Sequence, residues 1–321
     1  SSETQERSML MFIVRRVLAG IVLLAVISIV TFGLLFLDSA NIARRILGQN
    51  ATDELVAHKS AELGLDRPLA VQYWDWLTSA LTGDLGRSWF NGQLVSVSLS
   101  GRLSVSLSLV IGATLISAVL AIVLGVLAAR RGGWVDALVQ FISVIGFAIP
   151  GFLIALYLVL IFAINLHWFK ATGYIPITDS FGGWLTSVTL PIVALSIGAI
   201  AAVAQQVRGS VIDAMSRDYV RTLRARGLSS GSVVYKHVLR NAGGPALAVL
   251  AVQFIGLLGG AVIVEQVFAL PGMGQLTVTA TTQGDIPVVM GVVIAFALIV
   301  LIVNLVIDLA QAALNPKVRL S

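Results

Sequence analysis

From Val17 to Leu37 this chain runs 21 residues without a charged side chain. At 1.5 Å per residue, a helix of that length reaches about 31 Å, enough to cross the hydrocarbon core of a bilayer. In lipid every backbone N–H and C=O must find its partner within the protein, so the run has one local solution, the α-helix. It is also too long for the apolar core of a signal peptide and is expected to stay as a first span. Similar runs follow, and six spans are predicted: Val17–Leu37, Leu103–Ala129, Val135–Leu166, Val188–Val207, Ala246–Phe268 and Val288–Ala312. The fold class is all-α, a polytopic membrane protein. The third span is longer than a bilayer requires and contains Pro150-Gly151, where a tilt, kink or break is expected.

Composition excludes the main alternative, a pair of soluble domains. Charged residues make up 12% of the chain and hydrophobic residues 57%. A soluble domain carries about twice that charged share. The chain has no cysteine, which excludes disulfides and thiolate metal sites. The net charge of +5 does not require nucleic acid, because basic residues gather in cytoplasmic loops to set topology.

Charge also orients the spans. One side collects the N-terminus, the Arg130 turn, residues 208–245 and the C-terminal tail. It carries 14 of the 21 Lys/Arg but only 6 of the 16 acidic residues. That side is predicted to be cytoplasmic, with both termini inside. The organisation is then a tail (1–16), a first span (17–37), an external segment (38–102), a five-helix core (103–312) with a loop at 208–245, and a second tail (313–321). The first eight residues, SSETQERS, stand apart in composition and are left out of the fold argument.

The external segment holds LGLDRPLAVQYWDWLTSALTGDLGRSW (Leu63–Trp89). Pro68 fits the first turn of a helix and Asp66 its cap, with Gly83 and Gly86 ending it. Val71, Trp74, Leu77 and Leu81 fall on one face, read as local packing.

No phosphate-binding G-x-x-x-x-G-K-[ST] occurs, and neither does G-x-S-x-G or H-E-x-x-H. His58, His167 and His237 lie in separate segments and do not suit one metal. No catalytic, cofactor or metal residues are predicted. Ionisable residues are scarce in the spans, whereas a secondary transporter generally needs polar sites at the midplane. That argues for an external energy source. Glu265, near the outer end of the fifth span, is followed by the turn-forming ALPGMGQL. Glu265, Pro271 and Gly272 are candidates for a pathway or gate, with an outer loop or partner subunit as the other contact for Glu265.

The segment DYVRTLRARGLSSGSVVYKHVLRNAGGP (Asp218–Pro245) is basic and interrupts the apolar pattern. Ser216 is predicted to cap a helix over Arg217–Arg226, and Gly227 to end it in the left-handed conformation. Val220, Leu223 and Tyr219 form an apolar stripe, and Arg217, Arg221 and Arg224 a basic one. Ser229 or Ser230 caps a second helix over Gly231–Asn241, which Gly243-Gly244-Pro245 is expected to break. An amphipathic helix lying on anionic lipid explains the charge but not a helix–glycine–helix unit between two spans.

This segment resembles the EAA loop of bacterial ABC importer permeases, in its peptide-permease form. Arg221-Thr222-Leu223 and Gly227 fall on the motif positions, with Leu223 for Ala, Arg226 for Lys and Gly243-Gly244-Pro245 for Leu-Leu-Pro. Leu63–Trp89, VEQVFALPGMGQL (Val264–Leu276) and LNPKVR (Leu314–Arg319, with Asn315 for Asp) resemble further segments of the first permease subunit of oligopeptide and dipeptide importers. The resemblance implies a six-span type I importer permease without catalytic activity. Its implied partners are a second homologous permease, two cytoplasmic ABC ATPases that hold ATP and Mg, and an extracytoplasmic substrate-binding protein, in a bacterial inner membrane. It implies coupling to the ATPases through Arg221, Thr222, Leu223, Arg224 and Gly227, with Leu223 inserted among apolar groups of the ATPase. Peptides are the implied substrate; nickel, haem, glutathione and oligosaccharide importers resemble the chain too, and an independent secondary transporter is the remaining alternative.

Overall fold

The computed structural model describes residues 2–37 and 39–314. Among them the secondary structure is helical, apart from one isolated bridge between Arg87 and Leu94. In chain order the helices are α1 (Ser2–Phe36), α2 (Ser39–Leu47), α3 (Asp53–Glu62), α4 (Leu69–Leu81), α5 (Val95–Arg131), α6 (Gly133–Ala148) and α7 (Gly151–Leu158). After a π-helical extension of α7 (Val159–Asn165) come α8 (Phe181–Met215), α9 (Asp218–Ala225) and α10 (Ser230–Ser232). A π-helical stretch (Val233–Val238) then leads into α11 (Leu239–Val267), α12 (Met273–Gln283) and α13 (Ile286–Leu314). Five segments have the length and apolarity of membrane spans, and α6 with the α7 segment makes a sixth that bends by 94°. The break predicted at Pro150-Gly151 is therefore sharp. Proline cannot donate to the ladder and clashes with the preceding turn. The first sixteen residues, read as a tail, join the first span in one helix from Ser2. Of the LNPKVR ending, Asn315–Arg319 lies outside the described residues.

Contacts divide the chain into two compact units, one built on Ser106–Leu270 and the other on Arg15–Val105 with Pro271–Leu301. In the Ser106–Leu270 unit α8 is central. It packs on α11, α6 and α7 and buries Leu195, Ala199, Val203, Ala204, Val207 and Val211. Small residues bring its neighbours close. A Cβ on Gly125 of α5 would lie 2.8 Å from the Ala204 carbonyl oxygen and 2.8 Å from Val207. Between membrane helices, where lipid competes equally for apolar surface, such close approach supplies the packing energy. Gly125→Leu is expected to destabilise the unit by about 1–3 kcal/mol, seen as a lower thermal midpoint in detergent; an unchanged midpoint would contradict the close approach.

In the second unit α5 begins eight residues before its predicted start, at Val95, because Val95 and Leu99 are buried against Met273, Val289 and Val292. Burial of these side chains outweighs the polar Ser96, Ser98, Ser100 and Arg102 of that first stretch. The α4 helix forms as predicted, and Gly83 follows its end with φ +90°. The face it buries is not the predicted one. Trp74 is 64% and Leu81 79% exposed, whereas Tyr73 and Trp76 pack on Phe32 with ring centroids 5.5 and 6.2 Å away. Helical spacing allows both stripes, and the ring partner on α1 selects one. Asp66 does not cap the helix, since Pro68 occupies the cap position without a side-chain bond. Arg67 pairs instead with Asp75 at 2.5 Å.

Between α12 and α13 of this unit, the buried Asp285 carboxylate accepts from Ser88 Oγ at 2.5 Å and from the Trp89 N–H at 3.2 Å. Burial pushes this carboxyl above its ordinary value of 3.8, and those hydrogen bonds oppose the rise. A carboxyl with a raised folded pKa favours the fold most below its unfolded pKa, and that contribution is lost as pH climbs through the folded one. The thermal midpoint should therefore fall as pH rises from about 4 toward neutrality. Asp285→Asn should flatten the slope; the same slope in both proteins would place its origin elsewhere.

Candidate functional site

The basic segment after α8 is built into the helical core. Ser216 closes α8, its hydroxyl donating to the Asp213 carbonyl at 2.8 Å, so it is not the cap of the next helix. That role passes to the extended Arg217, which makes no side-chain cap bond to α9. One turn has to end before another begins, and the Ser216 hydroxyl is spent on the first.

The end of α9 follows the prediction. Gly227 has φ +85°, a region open to glycine and costly to residues with a Cβ. Its N–H donates to Arg224 O at 2.9 Å, and the Leu228 N–H to Leu223 O at 3.3 Å, which together close the last turn. Ser229 then caps α10, accepting from the Ser232 N–H at 3.3 Å.

The expected break at Gly243-Gly244-Pro245 is absent. From Ser230 the helix continues through the π-helical stretch and α11, with Pro245 inside it. Val233, Val234, Val238 and Ala242 are buried against Val203, Val207, Val211 and Ala214 of α8, and that packing holds the helix through the proline. Val220 is fully buried in the same cluster, with Tyr219, Leu223 and Leu228 half-buried around it. Asn241 Nδ2 donates to the Tyr219 hydroxyl at 3.0 Å. The apolar stripe of α9 thus faces its own chain. Arg217, Arg221, Thr222, Arg224 and Arg226 face outward. Arg221 lies 3.9 Å from Asp218 with both side chains almost fully exposed, a contact that contributes little.

The three gate candidates fall on either side of the division between the two units. Glu265 is fully buried within the Ser106–Leu270 unit, where its carboxylate accepts from Ser106 Oγ at 2.5 Å. Its own carbonyl accepts from the Leu270 N–H at 2.8 Å, closing α11 around Ala269, which sits at φ +48°. Glu265 therefore joins α5 and α11 of its own chain. Pro271, exposed, and Gly272, buried, belong to the other unit and lead into α12.

Two features were not foreseen in the sequence. Asp136 of α6 holds Arg208 of α8 through both carboxylate oxygens, with Nη2 to Oδ2 at 2.6 Å and the Nε–Oδ1 contact shorter still; Gln140 donates to the same carboxylate at 3.0 Å. The two residues are 72 positions apart, and no local pattern reports such a pair. The other is a groove of about 440 Å³ at the broken span, lined by Gly146, Pro150, Gly151, Gly198, Gln253, Gly256 and Gly260 among others. Gln253, alone and polar in an apolar run, was its signal.

Helices of spanning length make the chain a multi-pass membrane protein. It belongs to the family of binding-protein-dependent transport system inner membrane components, whose model matches residues 121–320. The model of that family's N-terminal region matches residues 9–110. Among curated relatives, the chain is 37% identical to a protein of Sinorhizobium fredii named "Probable peptide ABC transporter permease protein", over 96% of this chain and 99% of that one. It is 35% identical to the glutathione transport system permease protein of Salmonella typhimurium, over 97% and 99%. Among solved structures, a chain of the methionine ABC transporter in inward-facing conformations aligns with 64% of this chain and 93% of its own. The TM-score is 0.49 and the identity 18%.

Proposed function

We propose that this chain is one permease subunit of an ATP-driven importer of short peptides, and that it couples ATPase movement to transport through the segment 208–245. The observation that carries this reading is similarity over nearly the full length to peptide and glutathione permeases, at 37% and 35% identity. Both named substrate classes are peptidic. The chain hydrolyses nothing itself: two cytoplasmic ATPases supply ATP and Mg chemistry, a second permease completes the pathway, and an external binding protein delivers the peptide. The positive-inside bias supports a cytoplasmic position for both termini and the coupling segment.

The packing of the coupling segment supports a division of roles within it. Leu223 is half-buried on its own chain, so it carries movement inward, while Arg221, Thr222 and Arg224 present the outward face to the ATPase groove. Val220 and Val234 tie that movement to α8 and α11.

The broken span is the proposed lining of the pathway. Pro150 has no N–H, so the Gly146 carbonyl lacks its usual helical donor. Irregular backbone at membrane depth is tolerated where protein or water covers it, not against lipid. Gln253 brings a hydrogen-bonding side chain to the same groove, suited to a peptide backbone.

The test is reconstitution with the second permease, the ATPases and the binding protein, measuring uptake of a labelled peptide with and without ATP. ATP-dependent uptake is expected; uptake by this chain alone without ATP would establish a secondary transporter instead. Because the chain has no cysteine, Gln253→Cys introduces its sole thiol. A membrane-impermeant thiol reagent should modify it and spare Val252→Cys, whose native residue is 66% exposed and does not line the groove. The reverse order would remove the groove from the pathway.

A further inference from the structure

Where α5 ends, the structure opens a second cavity of about 370 Å³, apart from the groove at the broken span. Ile122, Val123, Val126 and Leu127 of α5 line it on one side. Its polar groups are Arg130 and Arg131, at the end of that helix, and Tyr235, from the π-helical stretch of the coupling segment. The Arg130 guanidinium lies 5.6 Å from the Tyr235 ring centre, and its Nη1 donates to the Tyr235 hydroxyl at 3.4 Å. That hydroxyl keeps its own proton to donate. No Asp or Glu lines the cavity, and among the described residues no ion pair engages either arginine.

We propose that this cavity seats one anionic phospholipid, its acyl chain along Ile122–Leu127 and its phosphate between Arg130, Arg131 and the Tyr235 hydroxyl. The division of chemistry matches such a molecule. The apolar wall lies toward the interior of the span, and the two cations sit at its end, where a headgroup lies whichever way the chain is oriented. A free phosphate would use the arginines and leave the apolar wall uncovered. A zwitterionic headgroup would bring its own cation against two others. The arginines themselves offer planar N–H donors matched to phosphate oxygens. A lipid held there bridges α5 and Tyr235, and so braces the coupling segment against α5.

The experiment titrates labelled phosphatidylglycerol into the purified intact protein in neutral detergent. One saturable site is expected. Binding should be weaker by roughly 30-fold in Arg130→Gln/Arg131→Gln, given the usual contribution of a basic residue at a lipid surface. Arg217→Gln, which removes an exposed cation elsewhere, should leave it unchanged, and Arg130→Lys should retain most of it. Ile122→Trp should weaken it with both arginines in place, because the ring fills the acyl-chain space. Excess inorganic phosphate should not displace the label, and phosphatidylcholine should bind far less. Equal binding by the double glutamine variant, displacement by inorganic phosphate, or indifference to Ile122→Trp would each overturn the proposal.

Discussion

Replacing Gly227 by proline should reduce ATP-dependent uptake roughly tenfold or more while the protein still inserts and assembles. Gly227 sits at φ +85°, and proline is confined near −65°. The substitution also removes the N–H that closes the last turn of α9 on Arg224. A misfit of about 3 kcal/mol, the usual cost of an incompatible proline, falls on a short exposed helix rather than on the spans. Leu223→Asp should have the same outcome by another route. It places a carboxylate against Val220 and its apolar neighbours, so α9 should lift from the cluster that ties it to α8. Gly227→Ala should be milder, since alanine reaches the left-handed region at about 1–2 kcal/mol. The measurement is peptide uptake beside substrate-stimulated ATPase activity in the reconstituted complex. Wild-type values of both in Gly227→Pro would sink the coupling role.

The second large effect is expected at Asp136. Asp136→Ala should leave the Arg208 guanidinium beside α6 without its carboxylate. Both side chains are mostly covered, at 18% and 24% exposure, so solvent screens the loss only in part. A destabilisation of about 2–3 kcal/mol follows for a charge-assisted pair broken from one side. Asp136→Ala/Arg208→Ala should lose less than Asp136→Ala alone, because no stranded charge remains. Thermal unfolding of the purified protein decides this; a double variant that loses the sum of its single variants would show that the two side chains act independently. High salt should narrow the difference only slightly, since screening acts most on exposed pairs.

Much of the architecture is legible in the sequence because lipid leaves so few local solutions. The uncharged run at Val17–Leu37, the break at Pro150-Gly151 and the left-handed turn at Gly227 follow from residue type alone. Helix ends were less legible. Val95 begins α5 early because of Met273 and Val289, and α11 passes through Pro245 because Val234, Val238 and Ala242 pack on α8. In both places distant side chains outweigh a local stop signal. The same holds for faces. Spacing marked Val71, Trp74, Leu77 and Leu81 on α4, but Phe32 of α1 draws in Tyr73 and Trp76. On α9 spacing identified the apolar stripe correctly and did not show whether its own chain or a partner would cover it.

The family membership and the multi-pass class rest on sequence. They depend on apolar length, charge bias and motif order, all of which are local or additive along the chain. Tertiary structure decided where buried polar groups find their partners. Glu265 meets Ser106, Asp136 meets Arg208 and Asp285 meets Ser88, each across a long stretch of chain. A buried charge is stable only where a donor has been brought to it, and which donor arrives depends on how the helices pack.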